Sequence, residues 1–90
     1  MNILSQDGQT LINYNNAASM YIQKVYRQYT TPDTHWEIRV MYPAVSTDVL
    51  YETIAKFDKE EDCIKIFNQL ITQICEYGIT FIRIEDLCRI

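Results

Sequence analysis

Only one stretch of this 90-residue chain carries a sustained helical period, and it limits what the rest can build. Advancing about 100° per residue from Asp58 puts Cys63, Ile64, Ile66, Phe67, Leu70, Ile71, Ile74 and Tyr77 on one half of a helical wheel. Asp62, Lys65, Asn68, Gln69, Thr72, Gln73 and Glu76 fill the other half, and Cys75 sits on the border. Asp58-Lys59-Glu60-Glu61 fits a capping box, with the Asp side chain on the backbone N–H three residues on and Glu61 reaching back. The extra carboxylates of this first turn suit the positive end of the helix dipole. Gly78 supplies the left-handed residue that closes a helix, with Ile79 placed to touch Ile74 as in a Schellman stop.

The remainder reads as strand and turn. Ile3-Leu4 and Leu11, Ile12 and Tyr14 flank Asp7-Gly8, the signal of a hairpin whose type I′ turn needs positive φ at both central residues. Asn15-Asn16 breaks that pattern. Met20 to Tyr29 alternates imperfectly, and Thr30-Thr31-Pro32-Asp33 is a turn. Trp36, Ile38, Val40 and Tyr42 against Glu37 and Arg39 form the clearest strand, with an apolar face and a mostly polar one. Pro43 to Asp48 turns the chain, Val49, Tyr51, Ala55 and Phe57 mark a further strand, and a last one runs from Thr80 to Glu85. The order β-β-β-β-β-α-β predicts one α+β domain over 1–90: a mostly antiparallel sheet of about five or six strands with the amphipathic helix packed on it. Apolar residues fall on both parities of 20–29 and 79–86. The sheet is therefore expected either to curl into a partial barrel or to have its second face covered by another chain.

Composition closes several functional classes. Eight Lys plus Arg against twelve Asp plus Glu leave a net charge of −4, the wrong sign for a protein held to nucleic acid by overall charge. Two glycines are too few for a phosphate-binding loop. No stretch approaches the roughly 20 apolar residues that span a bilayer, and the opening has neither the basic start nor the apolar run of a signal peptide. A cytoplasmic protein with reduced cysteines is expected. Cys63 and Cys75 are separated by about 18 Å of helical rise, and Cys88 has no C-x-x-C partner, so no metal or other cofactor is expected and all three read as buried or border hydrophobes. His35 is the lone histidine; as a general base it would need an orienting carboxylate and a nucleophile nearby, and it reads as a surface or turn residue. Ser5, Ser19 and Ser46 carry no nucleophile motif. Glu60-Glu61-Asp62 is accounted for by helix capping, and Glu85-Asp86 by a solvated chain end.

Seven tyrosines are the unusual count. Aromatic rings pack well on pleated sheets, which accounts for most of them, and tyrosine also gives interfaces large contact area with one polar handle. Tyr21, Tyr26, Tyr29, Arg39 and Tyr51 are the candidate partner-binding residues. Lys24, Arg27 and Arg39 beside Tyr26 would make a small nucleic-acid stacking platform, which the charge balance opposes. The leading expectation is a non-enzymatic binding protein that acts on a protein partner by contact. A nucleotide-like small-molecule binder or sponge using Tyr, Trp36 and Arg39 is the alternative, and a small enzyme using His35 the third. A homodimer is compatible with each.

The opening Ile3-x-x-Gln6-Asp7-Gly8-x-x-x-Ile12-Asn13-Tyr14-x-Asn16 resembles the start of small uncharacterised proteins from clostridia and related bacteria. Ile54-Ala55-Lys56-Phe57-Asp58-Lys59-Glu60-Glu61 is similar to their second hallmark, a strand entering a helix through an acidic cap. The Tyr-Pro hairpin and Phe81-Ile82-Arg83-Ile84 depart from that pattern. The resemblance implies a small cytoplasmic α+β protein of the kind encoded by prophages or other mobile elements. It carries no assigned activity and no functional residue.

Overall fold

The computed structural model describes residues 1–26, 34–43, 50–76 and 78–89. Its elements are β1 (Asn2–Leu4), β2 (Leu11–Asn13), a 3₁₀ turn (Tyr14–Asn16), β3 (Ser19–Val25), β4 (His35–Met41), β5 (Tyr51–Phe57), α1 (Glu60–Ile74), β6 (Phe81–Arg83) and α2 (Ile84–Cys88). The α+β class is as expected, but the single sheet of five or six strands is not. Among the described residues the strands form two three-stranded sheets, β2-β1-β6 and β3-β4-β5. The smaller sheet pairs β1 antiparallel to β2 and parallel to β6; the larger is an antiparallel meander.

Two sheets arise because the chain leaves the first hairpin through a turn of its own. Asn13 caps the 3₁₀ turn by accepting from the Asn15 N–H, and this redirects the chain before β3 begins. The hairpin itself forms without the expected type I′ turn. Ser5 and Thr10 bracket a four-residue loop closed by Gly8 N–H to Ser5 C=O, and Gly8 alone there has positive φ, +74°. Asp7 keeps a negative φ because its carboxylate has local work: it accepts from the Ser5 hydroxyl at 2.6 Å and the Gln9 N–H at 3.0 Å.

The core joins the layers. Ile3, paired with Ile12 on one side and Ile82 on the other, makes a buried row across the small sheet. Cys63, Ile66 and Leu70 of α1 pack in the same cluster as Ile38, Val40 and Ile54 of the large sheet, and Ile84 and Leu87 of α2 complete it. Each such aliphatic side chain contributes about 1.5–3 kcal/mol on burial. The second sheet and α2, where a strand to Glu85 was expected, therefore absorb much of the apolar surplus assigned to an uncovered face. β6 stops at Arg83 because Ile84 and Leu87, three apart, suit a helical turn under α1 better than an extended strand.

The ends of α1 differ from the expected signals. Lys59, not Asp58, is the N-cap, and no side chain caps it, so the capping box is not formed. The helix ends at Ile74 with Cys75 as C-cap; Gly78 does adopt φ +92°, but beyond the position of a Schellman glycine. Ile64 and Ile71, seven apart on the predicted apolar half, lie at its solvent margin.

Candidate functional site

Alternation along β4 sends Trp36, Ile38 and Val40 towards α1 and the core, and His35, Glu37, Arg39 and Met41 to the opposite face. That second face was expected to be a solvated polar one. Glu37, its central residue, is instead only 6% exposed. A carboxylate so placed must be satisfied, and three neighbours do so. Arg39 Nε donates to Glu37 Oε1 at 2.8 Å and the Arg39 terminal nitrogen lies 2.8 Å from the same oxygen. Thr53 Oγ1 donates to Oε1 at 3.0 Å, and His35 Nε2 lies 2.8 Å from Oε2. An ionised carboxylate can only accept, so His35 Nε2 carries the proton.

A β-bulge completes the arrangement. Register between β4 and β5 slips after Ile38, which pairs with Ala55, while Arg39 pairs with Thr53. Ile54, the extra residue, and Ala55 are both buried. The slip reverses the parity of the strand, so Thr53 and Tyr51 share the Arg39 face instead of following Ala55 and Phe57 inward. The Tyr51 ring then lies 4.4 Å from the Arg39 guanidinium, in cation–π contact, and Tyr21 stands directly across from Arg39 on β3.

The electrostatics follow from these contacts. Burial pushes the Glu37 carboxyl up, but the hydrogen bonds from His35, Arg39 and Thr53 outweigh it and hold the group below its ordinary value. Burial pulls Arg39 down, and Glu37 with Tyr51 and Tyr21 more than restores it. The result is an ionised, internally neutralised Arg–Glu pair with a tyrosine on each side.

Of the candidate residues, the fold brings Tyr21, Arg39 and Tyr51 together. Tyr26 is separate: 66% exposed past the end of β3, it lies under Lys24, whose ammonium is 5.1 Å from its ring and 5.7 Å from that of Trp36. Lys24 and Arg39 thus occupy opposite faces, and a shared platform does not form. Tyr29 and Arg27 lie outside the described residues, as do the Thr30–Asp33 turn and most of the Pro43–Asp48 turn. Sequence reasoning passed over Glu37 and Thr53. His35-x-Glu37-x-Arg39 on a strand with an apolar alternate face was a usable signal for the first; the bulge that recruits Thr53 left none.

His35 does have an orienting carboxylate, contrary to a plain surface residue, yet the Thr53 hydroxyl beside it donates to Glu37 rather than to the imidazole. Among the described residues no group of three or more His, Cys, Asp or Glu is placed to hold a metal ion, and no helix is long and apolar enough to cross a membrane. Cys63 is buried, its thiol pushed up to about 11 by burial and by Glu60, while Cys75 and Cys88 are exposed. A separate groove of about 340 Å³ lies between the first hairpin and the helices, lined by Gln6, Phe57, Asp62, Lys65, Ile66 and Cys88.

No protein-family model matches the chain, and neither a curated protein nor a solved structure matches it.

Proposed function

We propose that this is a small non-enzymatic binding protein whose contact surface is the face of the large sheet turned away from α1, centred on Tyr21, Arg39 and Tyr51. The supporting observation is pre-organisation. Arg39 is fixed by two hydrogen-bonding nitrogens on Glu37 and stacked on Tyr51, so little side-chain freedom remains to be lost when a partner docks. Arginine and tyrosine held this way are the residue types that dominate binding energy at protein interfaces. Tyr51, 48% exposed, retains area to bury. The partner is a protein, and the resemblance to mobile-element products makes a host or defence protein the natural target, modulated by occupation of its surface.

The test is a set of captures from candidate bacterial hosts with the wild type and a folded Tyr21→Ala/Arg39→Ala/Tyr51→Ala variant. A specific partner lost with the triple variant supports the reading. A partner retained by that variant, or no specific partner in any host, refutes it.

A further inference from the structure

The Glu37 carboxylate sits where a ligand's acid group would sit. Its Oε1 takes two guanidinium nitrogens of Arg39, its Oε2 takes His35 Nε2, and Thr53 Oγ1 supplies a fourth donor from a third residue. This is the donor set that a phosphate or carboxylate ligand would need, already filled by a side chain of the chain itself and closed from water. Lys56 stands opposite Glu37 in register and is felt by the Asp7 carboxylate, whose pKa is lowered first by the Ser5 hydrogen bond and last by Lys56. With the Arg39 charge matched by Glu37, Arg39 offers a partner N–H donors rather than a free charge, beside the Tyr21 and Tyr51 rings and their hydroxyls.

Resting on the contact-surface reading above, we propose that Glu37 determines the specificity of this face. As a built-in anion it excludes phosphate and carboxylate ligands and leaves a surface suited to an uncharged, aromatic or carbonyl-rich polypeptide segment. Removing the side chain that fills this donor set frees Arg39, His35 and Thr53 to act as an anion site. The nucleotide-like ligand considered from the sequence is thereby disfavoured at Arg39, because its phosphate would compete with a buried carboxylate tethered to the same strand.

Wild type and Glu37→Ala are titrated with inorganic phosphate while the NMR signals of the Arg39 side chain and the Tyr21 and Tyr51 rings are followed. Wild-type signals stay unmoved. Glu37→Ala gains saturable binding, at least about tenfold tighter than any wild-type response, the size expected for a charge-assisted contact, and Glu37→Ala/Arg39→Gln loses it again. Phosphate binding at Arg39 of the wild type, or no gain in a folded Glu37→Ala, overturns the proposal. Should Glu37→Ala not fold, the wild type decides with N-acetyltyrosinamide and its phosphorylated counterpart. The proposal stands where the uncharged compound shifts Tyr21 and Tyr51 and the phosphate adds nothing, and it falls otherwise. No partner protein enters these titrations, so their failure is separable from failure of the capture experiment.

Discussion

Glu37 shows how far one side chain can depart from the environment its neighbours in sequence suggest. It occupies a polar slot in an alternating strand, yet it is buried and satisfied by three side chains. Because its folded pKa lies below the ordinary 4.5, the contribution it makes to stability is complete above that value and is lost as pH falls through the folded value. We expect unfolding free energy to decline below about pH 5, and Glu37→Gln to flatten that decline while costing about 2 kcal/mol at neutral pH. Asp7, lowered by its Ser5 hydrogen bond, titrates in the same window, so the difference between the two proteins isolates Glu37. Equal acid slopes would show that the network does not hold the carboxyl ionised. The cysteines supply a second check at this scale. With an ordinary thiol reagent, Cys75 reacts in the native state, whereas Cys63, buried and with its thiol raised, reacts only as the protein unfolds. Rapid native modification of Cys63 would contradict its place in the core.

At the scale of single elements, α1 was legible from its apolar half-wheel, whereas its boundaries were not. Asp58, Glu60, Glu61 and Asp62 together make a convincing acidic start, but the chain leaves β5 as an extended strand through Phe57, and the first non-helical residue with N-cap geometry is Lys59. Its side chain cannot accept from the free N–H groups of the first turn. Lys59→Ser is therefore expected to stabilise the protein by about 1 kcal/mol, measured as a higher denaturation midpoint at unchanged slope. No gain would mean that those N–H groups are already satisfied by water at no cost. The β5 bulge is the other lesson at this scale. Period-2 reading put Tyr51 with Ala55 and Phe57; a one-residue slip moved it to the Arg39 face and created the cation–π contact. A bulge is a compromise between two strands, and neither strand's sequence alone reports it.

Over the whole molecule, two small sheets are held to one core and stapled at one residue. Gln6, in the first hairpin, donates its backbone N–H to Ile54 C=O and accepts the Lys56 N–H on its side-chain oxygen, both at 2.8 Å, so it takes the place of a neighbouring strand on the outer edge of β5. Gln6→Ala keeps the first bond and loses the second, at about 1 kcal/mol. Faster amide exchange at Ile3 and Ile12, with Ile38 unchanged, would mark it as the tie between the sheets; a uniform change would assign it only to global stability. The sequence by itself determined the α+β class, the order of the first five strands and the main helix, the hairpin at Asp7-Gly8 and the inward residues of β4, because alternation, helical period and turn chemistry act within a few residues. By residue type it also selected Tyr26 and Tyr29 together with Tyr21, Arg39 and Tyr51. Only the tertiary structure decided that the strands divide between two sheets, that a second helix follows β6, and that Tyr21, Arg39 and Tyr51 meet around a buried Glu37. These depend on which distant segments bury each other's apolar rows and on where the register slips, contacts that free energy settles across the chain rather than along it.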